Sequence, residues 1–193
     1  VGLLKIMLVG ITGTPGTGKT SVTALLEKKT GYQVIHLNEL IKDEKLYSEV
    51  DAERDCVVAD MDLVEQRVME KVDRASPVTI LDSHLSHHIA DNVIVLRTSP
   101  EKLRERLHKR SYSENKIQEN LEAEALDVIL FESVEWCDKV FEIDTTNQTI
   151  EETIADIEEI LGALLKGRDE ELMVKYKPGS VDWSEDFFAN MHL

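Results

Sequence analysis

The sequence predicts an α/β fold, a five-stranded parallel sheet flanked by helices. Three observations predict it. Short apolar runs alternate with amphipathic stretches along most of the chain, as strands joined by crossover helices do. Within each run apolar residues stand side by side rather than in strict alternation with polar ones, as in strands buried on both faces. The first run ends in a glycine-rich loop that opens a helix, an arrangement that holds phosphate at a helix N-terminus.

Lys5–Thr12 (KIMLVGIT) is the first strand. From Lys19 the pattern turns helical, with Val22, Leu25 and Leu26 on one face and Gly31 as the stop. Val34–Leu37 is the second strand, and Asn38–Lys45 is helical around Leu40 and Ile41. Tyr47–Asp55 is acidic and reads as irregular. Asp60 is placed to cap a helix carrying Leu63, Val64, Val68 and Val72. Val78–Leu81 is the third strand, ending at Asp82, and Val93–Leu96 is the fourth. Ser99-Pro100-Glu101 puts a capping serine, a proline and an acid in order, starting a helix that runs to about Arg110. Ser111–Asn115 is turn-like, and one helix is expected from about Lys116 to Cys137. Lys139–Ile143 is the fifth strand, and Thr149 with Glu152 forms a capping box for a helix reaching Lys166. After that the alternation breaks, with Pro178-Gly179 and the aromatic residues Trp183, Phe187 and Phe188. The expected organisation is a single domain over 1–166 and a C-terminal extension over 167–193.

Composition narrows the function classes. The chain has 193 residues, 42% of them hydrophobic, enough for a core. Its formal net charge of -16 repels nucleic acid and anionic membranes, so direct strong nucleic-acid binding is not expected, and a basic protein partner fits better. The first apolar run is interrupted by Lys5 and is too short to span a bilayer. Cys56 and Cys137 lie in no metal-binding spacing and read as free thiols. A cytoplasmic or nuclear protein is expected.

The strongest motif is Gly13-Thr14-Pro15-Gly16-Thr17-Gly18-Lys19-Thr20, a complete Walker A pattern, followed by Ser21. Its glycines let backbone N–H groups converge on phosphate oxygens. Lys19 is expected to reach the β and γ phosphates of ATP, and the Thr20 hydroxyl to bind Mg²⁺. Asp82, at the end of a buried strand, is where such a fold places a carboxylate in the Mg²⁺ shell. His84, two residues on, is a candidate to orient an attacking water or contact an acceptor. His87 and His88 follow, but no second ligand cluster is evident in the sequence, so they read as a polar loop rather than a zinc site.

Arg97, Arg104, Arg106 and Arg110, with Lys102, Lys109 and Lys116, concentrate positive charge. That charge is suited to offsetting the phosphates in transfer. Asn115-Lys116-Ile117-Gln118 lacks the aspartate of a guanine-reading motif, and no DxxG occurs, so adenine nucleotides are preferred.

GTPGTGKT, LNELIKDEKLY (Leu37–Tyr47), DAERDC (Asp51–Cys56), LDSH (Leu81–His84) and VLRTSPEKLRERLHKRSYSENKIQEN (Val95–Asn120) together resemble the adenylate kinase 6 family. Members are small-lid adenylate kinases and ATPases that act in small ribosomal subunit assembly. The resemblance spans about residues 6 to 165 and implies an adenylate-kinase-like fold. It implies an acceptor-binding segment over 38–69 and a short lid over 110–120. Arg106 falls where the family flanks the ATP adenine, and Arg110 where it contacts phosphate. Asn38 stands where glycine is common. Lys42 stands where arginine is common in the acceptor site; a lysine lacks the bidentate fork, so a weaker hold on AMP is expected. The resemblance also implies a partner, the basic small-subunit platform ribosomal protein (universal protein eleven). Three functions follow: an ATP:AMP phosphotransferase with ATPase activity, an ATP-switched binding module that docks and releases the ribosomal protein, or a kinase for another small acceptor.

Overall fold

A computed structural model describes residues 7–51 and 56–189. In chain order these form β1 (Met7–Thr12), α1 (Lys19–Thr30), β2 (Gln33–His36), α2 (Leu37–Asp43), β3 (Tyr47–Asp51), β4 (Cys56–Ala59), α3 (Met61–Lys71) and β5 (Val78–Asp82). A 3₁₀ turn, Ser86–His88, leads to β6 (Asn92–Arg97), α4 (Pro100–Lys109), α5 (Glu114–Ala125), α6 (Val128–Trp136), β7 (Lys139–Asp144), α7 (Ile150–Lys166), α8 (Glu170–Lys175) and α9 (Ser184–Ala189).

The main sheet has five strands in the order β2-β5-β1-β6-β7, and every pairing is parallel. The expected fold is therefore the observed one. Successive residues of each strand feed opposite faces. Val9, Ile11, Ile80, Ile94, Leu96 and Phe141 pack beneath α1 and α7. Leu81, Val93, Val95 and Val140 pack against α2, α3 and α6. Each such side chain, fully buried, contributes about 1.5–3 kcal/mol. A smaller cluster of Leu103, Leu107, Ile117 and Leu121 joins α4 to α5.

Caps set the helix limits. Asp60 accepts from Leu63 N, and Ser99 from Lys102 N. Thr149 and Glu152 make the reciprocal capping box, and Gly31 ends α1 in the left-handed region (φ 71°).

Two expectations change. The acidic stretch read as irregular contains β3, which pairs antiparallel with β4. This ribbon lies outside the main sheet; Tyr47, Val57 and Ala59 pack half-buried against the core while Val50 and Val58 are exposed, so β3 has one core-facing apolar residue to mark it. The expected single helix from Lys116 to Cys137 is two helices. Asp127 adopts a left-handed conformation (φ 57°), which aspartate tolerates better than most residues, and its carboxylate accepts from Arg97 Nη2. That ion pair stops α5 and restarts the chain as α6.

The C-terminal segment packs on the main sheet. Leu172 and Tyr176 enter the core beside α7. Glu142 N donates to the Tyr176 carbonyl at 2.8 Å, covering the otherwise open edge of β7. Ser180 N and Oγ both donate to Glu142 Oε2, at 2.6 and 2.7 Å. Among the described residues, no helix is long and apolar enough to cross a membrane.

Candidate functional site

The glycine-rich loop leaves the end of the central strand β1 and enters α1, at the C-terminal edge of the sheet. Its backbone requires glycine. Gly13 sits at φ 136°, and a Cβ there would lie 2.3 Å from the Leu96 carbonyl oxygen. Gly16 (φ 99°) presses against Leu103, where a Cβ would come within 2.7 Å of Cδ1. Thr17 N and Oγ1 both donate to the Thr14 carbonyl, at 3.2 and 2.9 Å, closing the turn. Pro15 is half-buried at the loop's crest. Gly18 caps α1 without a side-chain hydrogen bond, and no acid stands in the first turn. The first N–H groups of α1 therefore meet no competing carboxylate, and the helix N-terminus favours an anion.

Lys19 is buried. Its Nζ donates to the carbonyls of Gly13 (2.6 Å) and Thr14 (3.0 Å). Burial lowers its pKa to about 8, while the charges of Asp82 and Glu124 pull the other way. Thr20 and Ser21 are exposed on the first turn of α1.

Asp82 is buried at the end of β5, and its Oδ2 accepts from Thr23 Oγ1 at 3.1 Å and faces His36 Nδ1 at 2.7 Å. The register aligns His36 with Asp82 across β2 and β5. Nothing in the sequence flagged His36, because strand order is not visible there. Asn38, in the first turn of α2, accepts from Ser83 Oγ at 3.0 Å. Lys42 is exposed farther along α2. His84 is mostly shielded, and burial, then the charges of Lys19, His87 and His88, lowers its pKa to about 4. It is neutral at pH 7 and can accept a proton or a hydrogen bond.

On the other side of the loop a cavity of about 370 Å³ opens beside Gly16–Gly18. Arg106, Lys109 and Arg110 line one wall, and Thr145, Gln148 and Thr149 another. Arg106 spans the walls, donating to Thr98 Oγ1 (3.1 Å), the Gly16 carbonyl (3.4 Å) and the Thr145 carbonyl (3.3 Å). Burial, then neighbouring Arg110, lowers its pKa. The Arg110 side chain is exposed and makes no hydrogen bond or ion pair among the described residues. The segment expected as a lid is a tight turn, with Ser111 at φ 57°, followed by the start of α5.

The basic stretch divides. Arg106 and Arg110 reach the cavity, but Arg97 does not. It is 1% exposed and meets Glu124 Oε1 (2.9 Å), Glu142 Oε1 (2.7 Å), the Glu124 carbonyl (3.0 Å) and Asp127. Trp183 of the C-terminal segment lies 5.0 Å from its guanidinium. Arg104 is turned to Gln118 and Glu114, and Lys102 to Glu105. Sequence reasoning also missed Glu124. Buried on α5, it accepts from Thr14 Oγ1 of the loop (2.5 Å) and Thr98 N (3.0 Å) while pairing with Arg97. In sequence it reads as one more helix-surface acid.

A family model described as "AAA domain" matches residues 9–127. A Methanosarcina acetivorans protein named "Putative adenylate kinase" is 59% identical over 182 residues, covering 92% of this chain and 97% of its own. A protein of the same name from Methanocaldococcus jannaschii is 40% identical over 188 residues, covering 97% and 98%. Among solved structures, shikimate kinase from Bacteroides thetaiotaomicron superposes with a TM-score of 0.52 at 17% identity, over 81% of this chain and 98% of that one. A gluconokinase from Sinorhizobium meliloti 1021 gives 0.53 at 19% identity, over 86% and 97%. At that identity the two structures speak to the fold alone.

Proposed function

This chain belongs to the family that those relatives form, with its P-loop AAA domain, and from that premise we propose that it is an ATP:AMP phosphotransferase with ATPase activity. The observation that supports this most is the division of the site by the phosphate loop. The cavity with Arg106 and Arg110 lies toward β6 and β7, while Asp82, His84, Asn38 and Lys42 lie toward β5 and β2. Two nucleotides approaching from the two sides would meet over Lys19, at the strand ends where open α/β sheets bind ligands.

In this reading the cavity holds the nucleoside of ATP, with Arg106 beside the base, and is of a size suited to it. The amides of Gly13 to Thr20 and the α1 N-terminus hold the β and γ phosphates. Lys19 exchanges its loop carbonyls for phosphate oxygens. Arg110, with no competing partner among the described residues, stabilises the charge that develops on the transferring group. Mg²⁺ fits the donor set. Both Asp82 contacts fall on Oδ2, so Oδ1 can meet a hydrated cation, and Thr20 offers an exposed hydroxyl nearby in sequence to Lys19. When bound, the cation neutralises phosphate charge in transfer. Asn38 and Lys42 bind AMP. Neutral His84 accepts a hydrogen bond from the attacking water in hydrolysis.

Lys42→Ala tests the acceptor half. It should raise the KM for AMP several-fold and leave ATP hydrolysis without AMP unchanged. An unchanged KM removes Lys42 from the site.

A second reading has one observation of its own. Exposed apolar residues crowd α6 and its start: Leu126, Phe131, Val134 and Trp136 are each more than half exposed. Such a patch on a strongly acidic chain suits a basic protein partner with an apolar contact, such as the ribosomal protein of the small-subunit platform. ATP turnover would then control docking in small ribosomal subunit assembly. Phe131→Ser should abolish capture of that protein and leave nucleotide turnover intact; retained capture would reject this surface.

A further inference from the structure

Away from the phosphate loop, a second cluster of side chains is arranged as a cation site. His87 and His88 come from the 3₁₀ turn and Glu132 from α6. Each offers one ligand atom, and these atoms all lie within 4.8 Å of one another. His87 Nε2 and Glu132 Oε2 are 3.0 Å apart. Nitrogen and oxygen ligands about 2.0–2.2 Å from a tetrahedral Zn²⁺ stand roughly 3.3 Å from each other. Two of the three are therefore already at ligand spacing. The third, His88, is exposed, with its ring 4.4 Å from that of His87.

The surroundings are those of a built site. Nδ1 of the buried His87 lies 3.3 Å from Thr12 Oγ1, and an oxygen partner on the far nitrogen is what orients a metal-binding imidazole. With the proton on Nδ1, the Nε2 lone pair faces a carboxylate, and a cation between them satisfies both. With the proton on Nε2, the pair is an ordinary hydrogen bond, and the approach of His88 has no role. Trp136 walls the cluster, stacked at 5.7 Å on His87 and tilted at 4.9 Å against His88. Entry is open, since Glu132 and His88 both reach solvent.

We propose that His87, His88 and Glu132 bind one borderline first-row divalent cation, Zn²⁺ foremost, with water in the fourth position. Two imidazoles, a carboxylate and one open position match the donor set and coordination number of that ion. The cation ties the loop that carries His84 to α6.

The test uses the full chain, stripped with chelator and held in excess Mg²⁺ to occupy the phosphate site. Zn²⁺ is titrated by calorimetry and by Trp136 emission, the latter in a Trp183→Phe background. One tight equivalent that changes Trp136 emission is expected. The double variant His88→Ala, Glu132→Gln should weaken binding by more than the about 10- to 100-fold typical of losing an outer-shell partner, and Thr12→Val should fall within that range. Both altered ligands of the double variant reach solvent, so its thermal unfolding without Zn²⁺ should match the parent. Zn²⁺ affinity equal in parent and double variant, or binding that leaves Trp136 emission unchanged, overturns the proposal.

Discussion

Arg97 and Arg110 bracket the same helix and have opposite surroundings. Arg97 ends β6, buried among Glu124, Glu142 and Asp127 with Trp183 nearby. Arg110 caps α4, exposed at the cavity and without a polar partner among the described residues. The first holds pieces together: α5, β7 and the C-terminal segment meet at its guanidinium, and through Glu124 it reaches Thr14 of the phosphate loop. The second leaves its charge unpaired among the described residues at the cavity wall, where the proposed function uses it. The difference shows that a run of arginines near a phosphate loop is not one functional unit. Burial and the count of facing carboxylates decide which arginine is structural.

The comparison is tested most strongly at Arg97. Arg97→Met strands buried carboxylates, and it should cost about 3–5 kcal/mol in denaturant unfolding. A loss below about 1 kcal/mol would mean that the network relaxes and that Arg97 does not organise the loop. Arg110→Met should do the reverse. Stability should stay within about 0.5 kcal/mol, while kcat falls on the order of 100-fold. Equal effects at both positions would erase the distinction.

Lys19 sharpens the comparison through pH, because it is buried like Arg97 yet in the proposed site would meet phosphate as Arg110 would. Its pKa of about 8 in the free chain should rise when phosphate binds, so binding takes up a proton. The affinity for ATP should be level below pH 8 and weaken above it by up to about tenfold per unit. A flat profile from pH 7 to 9.5, followed by calorimetry, would contradict the buried placement. In the free chain the same shift acts on stability. The unfolded lysine keeps its proton to the ordinary value of 10.5, so Lys19 costs stability below about pH 8 that is regained as pH rises toward 10.5. The smallest effect is expected at Trp183. Trp183→Ala removes one cation–π contact and should cost on the order of 1 kcal/mol. No change in unfolding would detach the C-terminal segment from the Arg97 network.

The sheet, the loop and most helix limits were legible because each has a local cause. Apolar runs mark buried strands, Gly13 to Thr20 specify a backbone, and Asp60, Ser99 and Thr149 cap the helices that follow them. What was not legible depends on tertiary contact. The β3–β4 ribbon rests only Tyr47, Val57 and Ala59 on the core, too few residues to produce a clear alternating pattern. The break between α5 and α6 rests on Asp127 reaching Arg97 from a distant part of the chain. His36 joins Asp82 only because β2 lies beside β5. Glu124 and Glu132 look alike in sequence as helix acids, yet one supports the phosphate loop and the other faces His87.

The central claim is that two nucleotides meet over Lys19. It is tested most directly by following ADP and free phosphate separately during turnover of ATP with Mg²⁺, with and without AMP. The account predicts that AMP sharply raises ADP formation without matching phosphate release, and that Lys19→Ala abolishes both. Phosphate tracking ADP with no response to AMP would contradict the transferase reading and leave an ATPase.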